Sequence, residues 1–198
     1  CINYYIGQMI KTNYLKITSG SLRSRKIEYF PNNDLRPTKS YIREVIFNVC
    51  RLEDNFNTLD LFSGSGILTL ESISRGAQDC HLVESNKEAC DKFLSECEKL
   101  NVENYMLFHS DVFKFLQKEQ SQDYQLIFID PPYKDDCLSN VLDELFRRNF
   151  IKNNQYIYLE QDKKNKDKSV CEHLSTRYHI IKDLSIGDVS YTIAKKRD

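Results

Sequence analysis

From residue 58 to residue 194, short apolar runs alternate with amphipathic segments, and this alternation constrains the fold more than any other feature of the chain. The apolar, β-prone runs predict strands at 58–62, 80–84, 106–109, 125–130, 156–160, 179–184 and 190–194. The amphipathic segments predict helices at 68–74, 87–100, 112–117, 138–148 and 169–175. Such alternation is typical of a mostly parallel sheet with right-handed crossovers, helices on both faces and a ligand crevice at the carboxyl ends of the strands. We therefore predict an α/β fold whose functional residues follow the strands.

Length and composition are consistent with one soluble domain. The 198 residues are 40% hydrophobic and 29% charged, proportions typical of globular rather than disordered or fibrous proteins. A chain of this length usually forms one domain, to which a small appendage can be attached. Because the formal net charge is only −1, a nucleic-acid surface would need a local basic patch.

Cysteine usage and hydropathy indicate a reducing environment inside the cell. The seven cysteines are an odd number and never form a C-x-x-C pair, so we interpret them as free thiols rather than as disulfides or a zinc site. No run approaches the ~18 to 20 apolar residues that span a bilayer, and the first residues lack the basic region of a signal peptide. We therefore expect a cytoplasmic protein with no membrane segment and no metal.

Residues 15–30 contain two β-prone runs around a Gly20-Ser21 turn signal, which predicts a short hairpin. Its basic residues, with one that follows the hairpin, are candidate contacts for nucleic-acid phosphates. These residues are Arg23, Arg25, Lys26 and Arg36. The alternative, a hairpin whose charges are simply solvated, stays open.

The segment after the hairpin predicts a helix, because its apolar residues recur at helical spacing. They are Ile42, Val45, Ile46 and Val49. Thr38 or Ser40 is placed to cap the first turn with a side-chain oxygen.

A glycine-containing loop follows the first predicted strand of the alternating region. It reads Asp60-Leu-Phe-Ser-Gly-Ser-Gly66, and its glycines allow a tight turn and the close approach of a small molecule. A dinucleotide-binding loop would carry a further glycine at the position of Thr69. The pattern therefore favours a small-molecule loop and counts against NAD.

Acidic residues follow the next two predicted strands. Glu84 is placed to accept hydrogen bonds from the hydroxyls of a ribose, as an acidic residue does in nucleotide-binding α/β folds. Asp111 is placed to bind an adenine amino group or to cap the helix that begins at Val112, and the two roles are compatible.

The most specific motif is Asp130-Pro131-Pro132-Tyr133, at the end of the fourth predicted strand. Two prolines make a rigid loop whose backbone cannot donate hydrogen bonds at those positions. A carboxylate and a backbone carbonyl there suit a planar amine with two N–H donors, and an aromatic ring offers a face for base stacking. The motif therefore predicts chemistry on an exocyclic amine.

Together these segments resemble class I amino-methyltransferases. The matching stretches are Leu-Asp-Leu-Phe-Ser-Gly-Ser-Gly, Val83-Glu84, Ser110-Asp111 and Asp-Pro-Pro-Tyr, in this order. More narrowly, the stretches at 17–20 and 35–38, the pairs Arg43-Glu44 and Phe47-Asn48, and the stretch at 71–77 resemble the RsmD family, bacterial 16S ribosomal RNA guanine-N2 methyltransferases. The similarity covers residues 15 to about 195.

The resemblance implies a Rossmann-like class I methyltransferase fold with a mostly parallel seven-stranded sheet, S-adenosylmethionine as cofactor, and 16S ribosomal RNA or the small ribosomal subunit as partner of a monomer. It divides the chain into an extension at 1–14, a basic RNA-facing appendage at 15–57 and the methyltransferase domain at 58–198. The implied catalytic residues are Asp130, Pro131, Pro132 and Tyr133. The implied cofactor contacts are Asp60, Phe62, Ser63, Gly64, Gly66, Glu84, Asp111 and Val112.

Three alternatives stay open on the sequence alone. A DNA adenine-N6 methyltransferase shares the Asp-Pro-Pro-Tyr loop, but the sequence-specific ones normally add a recognition domain. A protein-glutamine methyltransferase usually begins this loop with Asn, where the present chain has Asp130. A noncatalytic RNA-binding or assembly module would keep the basic hairpin without needing two intact loops.

Overall fold

The computed structural model describes residues 13–29, 38–119, 122–132, 137–150, 152 and 154–197. Its elements follow one another along the chain as the alternation predicts. They are β1 (Asn13–Lys16), β2 (Lys26–Tyr29), α1 (Ser40–Val49), β3 (Asn57–Leu61), α2 (Ile67–Ser74), β4 (Asp79–Glu84), α3 (Lys87–Leu100), β5 (Tyr105–His109), α4 (Val112–Lys118), β6 (Leu126–Ile129), α5 (Leu138–Arg147), β7 (Tyr156–Asp162), α6 (Lys168–Ser175), β8 (Tyr178–Ile186) and β9 (Val189–Lys196).

Seven strands form one sheet in the order β5-β4-β3-β6-β7-β9-β8. The first five are parallel to one another, whereas β9 is antiparallel to both β7 and β8. All four residues of β6 are buried, as expected for a central parallel strand that is covered by helices on both faces. The predicted Rossmann-like, mostly parallel seven-stranded sheet is confirmed.

The two faces of the sheet are covered by different helices. Phe128 of β6 packs with Ile42 of α1 in a cluster that also includes residues of α2. Its neighbour Ile127 points the opposite way and packs with Leu142 of α5, in a cluster that also includes α4 and α6. Side chains alternate across a strand, so α1 and α2 cover one face, together with α3, while α4, α5 and α6 cover the other.

The predicted N-terminal hairpin is confirmed, with β1 and β2 paired in antiparallel fashion. Ile17 and Ile27 are fully buried and pack with residues of α2 and α3. Gly20 has a φ of 83°, and a Cβ at this position would lie only 1.7 Å from the backbone oxygen of Ser74. Glycine is therefore required for the hairpin to approach α2 this closely.

Helix α1 forms where the apolar spacing predicts it, but the predicted cap is wrong. The N-cap residue is Lys39, and its side chain makes no capping hydrogen bond. Ser40 is the first residue of the helix itself, and the hydroxyl of Thr38 donates to the Oδ2 atom of Asp130 at 3.3 Å. The Thr38 hydroxyl, which was predicted to cap the helix, therefore makes a tertiary contact instead.

The six described cysteines are all free thiols, in agreement with the interpretation of the sequence. Within the described ranges, none of the helices has the length and apolar character needed to cross a bilayer. The division of the chain at residues 14 and 57 stays a prediction, and residues 1–12 lie outside the described part.

Candidate active site

The loops that the sequence singled out meet at one edge of the sheet. Strands β3, β4, β5 and β6 are parallel neighbours, so their carboxyl ends lie side by side. In the register of the sheet, Leu61 is opposite both Val83 and Ile129, and Glu84 is opposite His109. The residues that follow these positions therefore lie together at one edge of the sheet, where this topology is expected to form a ligand crevice.

The glycine-containing loop turns sharply between β3 and α2. Phe62, Gly64 and Gly66 all have positive φ values, of 65°, 53° and 70°. At Gly66 an added Cβ would lie 2.1 Å from the ring of Phe93 on α3, so this glycine is required by the packing of α3 against the loop. The tight turn that the motif predicts is present.

Glu84 holds this loop through its two carboxylate oxygens. Oε2 accepts a hydrogen bond from the backbone N–H of Gly64 at 2.7 Å, and Oε1 accepts one from the backbone N–H of Asn86 at 2.7 Å. Each carboxylate oxygen can accept a further hydrogen bond. Glu84 is therefore placed both to fix the backbone of the loop and to bind hydroxyl groups of a ligand.

Asp60 lies beneath the loop and is only 1% exposed. Its Oδ2 atom accepts a hydrogen bond from the hydroxyl of Thr69 at 2.8 Å. Burial, opposed by this hydrogen bond and supported by the charge of Glu84, raises the pKa of Asp60 to about 7. Oδ1 of Asp60 and Oγ of Ser63 are buried without a hydrogen-bond partner among the described residues. Buried polar atoms usually have partners, so these two atoms fit polar groups of a ligand.

Asp111 begins α4 as its N-cap residue. Its Oδ1 atom accepts a hydrogen bond from the backbone N–H of Lys114 at 3.1 Å, which confirms the capping role that the sequence predicts. The backbone N–H of Val112, in the first turn, has no acceptor within the helix. Asp111 is exposed at the same edge of the sheet, so a carboxylate and a free N–H lie together there.

Asp130 follows β6 directly, at the same edge of the sheet. Its side chain keeps part of its surface exposed, but the carboxyl group lies deep enough that burial raises its pKa well above the usual range. The nearby carboxylates of Glu160 and Asp60 raise this pKa further, whereas the hydrogen bond from Thr38 lowers it. Tyr133, the last residue of the motif, lies outside the described residues.

Sequence patterns did not identify Glu160, which is 2% exposed at the carboxyl-terminal part of β7. Glu160 lies one strand away from Asp130, since β6 and β7 are parallel neighbours. A signal was available, because an acidic residue near the carboxyl end of a buried strand is the same pattern that drew attention to Glu84. Strand β7 carries no motif of its own, so the sequence alone did not predict a role for Glu160.

Arg43 is a second residue that the sequence analysis did not assign to the site. Its guanidinium is buried and donates to Oε1 of Glu71 at 3.0 Å, to the backbone oxygen of Lys16 at 2.7 Å and to the backbone oxygen of Thr38. Thr38 in turn donates to Asp130. Arg43 therefore connects the hairpin, α1 and α2 with the residue that supports the carboxyl group of the candidate catalytic loop.

Three of the four predicted phosphate contacts can be placed on the surface. Arg23, Arg25 and Lys26 are exposed in the turn of the hairpin and at the start of β2. Arg36 lies outside the described residues. A basic patch on the hairpin is present, and its role as an RNA contact stays a prediction.

No cluster of three or more His, Cys, Asp and Glu side chains that could hold a metal ion occurs in the described part of the chain.

This chain is similar to a protein family, to curated proteins and to solved structures. The family described as conserved hypothetical protein 95 matches residues 15–195. Ribosomal RNA small subunit methyltransferase D of Buchnera aphidicola from Acyrthosiphon pisum is 36% identical over 155 residues, which cover 78% of this chain and 81% of that protein. The protein of the same name from Escherichia coli K12 is 28% identical over 152 residues, covering 76% of each chain. A solved structure from Escherichia coli, described as that of a methyltransferase, superposes with a TM-score of 0.80 at 25% identity and covers 93% of this chain and 98% of its own.

Proposed function

This chain belongs to the family described as conserved hypothetical protein 95, the RsmD family of ribosomal RNA small subunit methyltransferases, and from that premise we propose its specific reaction. The reaction is transfer of a methyl group from S-adenosylmethionine to the exocyclic N2 amine of a guanine in small-subunit (16S) ribosomal RNA. The observation that carries the proposal is the meeting of two loops at one edge of the sheet. One is the glycine loop with its unpartnered buried atoms, and the other begins with Asp130.

Polar groups at this edge of the sheet support the binding of S-adenosylmethionine. The free Oδ1 atom of Asp60 suits the ammonium of the methionine part, while the hydroxyl of Ser63 and the turn up to Gly66 lie beside it. Glu84 has acceptor capacity left for ribose hydroxyls. The carboxylate of Asp111 and the free N–H of Val112 suit the adenine edge. When bound, the cofactor supplies a methyl group on a sulfonium, which is an electrophile.

The residues at the end of β6 would orient the acceptor amine. The lone pair of a guanine N2 is delocalised into the ring, which makes the amine a poor nucleophile. Hydrogen bonds to Asp130 and to the carbonyl of Pro131 would turn this amine toward tetrahedral geometry and hold it in line with the methyl group. Because Pro131 and Pro132 lack N–H donors, acceptors prevail at this position.

A base must leave its stack to reach such a crevice, which favours unpaired or loop nucleotides of a structured RNA. The exposed cations Arg23, Arg25 and Lys26 would attract the phosphate backbone around the target. Arg36 and Tyr133 keep their predicted roles in phosphate contact and base stacking.

The proposal is tested on the carboxylate of Asp130. Single-turnover methylation of small ribosomal subunits with tritiated cofactor should be slower by about 10² to 10³ in Asp130→Ala, by analogy with the loss of one group that stabilises a transition state. Asp130→Asn keeps the shape and one acceptor oxygen, so its rate should fall between those of Asp130→Ala and the unmodified protein. Cofactor affinity, measured by calorimetry, should change little in either variant.

The identity of the product decides between the proposed substrate and other acceptors. Mass spectrometry of the nucleosides released from the treated RNA should find N2-methylguanosine. An N6-methyladenine product, methylation of DNA alone, or an unchanged rate in Asp130→Ala would contradict the assignment.

A further inference from the structure

Glu160 and Asp130 occupy equivalent positions on adjacent strands. Phe128 of β6 is opposite Tyr158 of β7 in a parallel register, and the centroids of their rings are 6.3 Å apart. Side chains two positions further along each strand point to the same face. Asp130 and Glu160 therefore lie side by side, at the point where the sheet meets the start of α1.

The carboxyl group of Glu160 is held in place but withdrawn from the crevice. The residue is 2% exposed, and its Oε2 atom accepts a hydrogen bond from the hydroxyl of Tyr158 at 2.6 Å. The Tyr158 hydroxyl binds this carboxyl group from its own strand, and Asp130 lies at the end of the adjacent strand, so we expect Glu160 to affect the reaction through Asp130. After burial, the charge of Glu160 is the largest cause of the raised pKa of Asp130.

Several elements bring titratable or charged groups to this pair. Asp60 of β3 adds a smaller effect of the same sign on Asp130. Burial raises the pKa of the Tyr41 hydroxyl on α1, and the charge of Glu160 raises it further. Further groups in the described part of the chain include Tyr158 of β7, Tyr191, which is opposite Glu160 on β9, and Arg43, which donates to the backbone oxygen of Thr38.

We propose that Glu160 is a positioning residue for methyl transfer, whose carboxylate strengthens Asp130 as the acceptor of the proton that the methylated amine releases. This inference rests on the proposed function. The nitrogen lone pair forms the new C–N bond while the C–S bond of a sulfonium donor breaks and leaves its electron pair on sulfur. In the same step one N–H bond of the amine breaks, its electron pair stays on nitrogen, and the proton moves to an oxygen of Asp130.

The physical reason is that the basicity of Asp130 must suit the acceptance of a proton from the amine. A general base works best when its pKa lies near the pH at which it operates, and an aspartate in water is too weakly basic for this. A neighbouring negative charge raises the basicity of a carboxylate. Glu160 supplies that charge without occupying space in the crevice.

The test is the pH dependence of the single-turnover rate in Glu160→Gln. In the unmodified protein the rate should rise as the pH increases through the raised pKa of Asp130. Removing the charge of Glu160 should move this acidic limb to lower pH by about one pH unit or more, since a nearby charge typically changes a carboxyl pKa by about one to three. The plateau at higher pH should fall several-fold, because Asp130 is then a weaker base.

Two further variants separate an electrostatic role from a structural one. Glu160→Asp keeps the charge, so its acidic limb should stay close to that of the unmodified protein. Glu172→Gln removes an exposed carboxylate on α6 and should leave the whole profile unchanged. A lower plateau in Glu160→Gln without displacement of the acidic limb would overturn the inference.

A titration of the free protein gives a readout that needs neither cofactor nor RNA. Carboxyl NMR of protein with isotope-labelled aspartate should show Asp130 titrating well above the usual range, and Glu160→Gln should bring it down. An ordinary titration of Asp130 in the unmodified protein would refute the inference even if Glu160→Gln does not fold. Absence of methylation by the unmodified protein at every pH would instead refute the proposed function.

Discussion

Replacement of Arg43 by Met should destabilise the protein by about 3 kcal/mol, at the lower end of the range of about 3 to 5 that follows the loss of one partner of a buried ion pair. Arg43 is 2% exposed, and its partner Glu71 is fully buried. The variant leaves the Glu71 carboxylate in place and removes the donors to the backbone oxygens of Lys16 and Thr38. We expect a loss at the lower end of the range of about 3 to 5 kcal/mol because Glu71 keeps other partners.

Those remaining partners are specific. Oε1 of Glu71 accepts a hydrogen bond from the backbone N–H of Thr18 at 2.7 Å, and Oε2 accepts one from the Thr18 hydroxyl at 2.9 Å. The guanidinium of Arg75 lies 3.4 Å from Oε2. These partners reduce the free-energy cost of leaving the Glu71 carboxylate without Arg43. They do not replace the three contacts that Arg43 makes between the hairpin, α1 and α2.

Urea unfolding measures the prediction, provided that the transition is two-state and its slope with urea is unchanged. In a double-mutant cycle, Arg43→Met and Glu71→Leu together should cost less than the sum of the single changes by about 1 to 3 kcal/mol, because the double variant leaves neither Arg43 nor Glu71 buried without the other. Lys87→Met breaks an exposed ion pair on α3 and should change stability little. Additive effects, or a loss below about 1 kcal/mol for Arg43→Met, would refute the reasoning.

Three further predictions concern ligand binding. Glu84→Ala should weaken S-adenosylmethionine binding by about 1.5 to 3 kcal/mol in calorimetry, the range for hydrogen bonds to a charged group. Removal of the charges of Arg23 and Arg25 together should lower RNA affinity and flatten its dependence on salt, with cofactor affinity unchanged. Because the pKa of Asp60 is raised to about 7, its ionised form is lost as the pH falls, and affinity for the cofactor's ammonium should drop by up to about tenfold from about pH 8 to about pH 6. Asp60→Asn should remove this pH dependence.

The predictions on Glu84 and on the hairpin each have a matched control. Glu88→Ala changes an exposed carboxylate in the first turn of α3 and should leave cofactor affinity intact. Neutralising the exposed Arg51 and Lys118 removes as much charge as the hairpin variant and should affect RNA binding less. Equal affinity for NAD would contradict the reading of the glycine loop, and unaltered RNA affinity at low salt would leave the hairpin as solvated surface.

The sequence determined the architecture and the loops of the candidate site, because both depend on local signals. Alternating strand and helix periodicities predict a parallel sheet, and parallel strands place their carboxyl ends at one edge, where Glu84 and Asp130 are found. The tight turn at Gly64 and Gly66 was also predictable from a local signal, because glycine is favoured where φ is positive. The specific roles of these residues toward cofactor and RNA remain predictions.

Only the tertiary structure decided which side chains support that edge. Thr38 was predicted to cap its own helix, but it donates to Asp130, 92 residues further along the chain. Glu160 became a neighbour of Asp130 through the register of β6 and β7, and the guanidinium of Arg43 became buried when the hairpin packed against α1 and α2. Periodicity and turn chemistry report on neighbours in sequence, whereas hydrogen bonds and charges act between neighbours in space, and these become neighbours only when the sheet and its helices have packed.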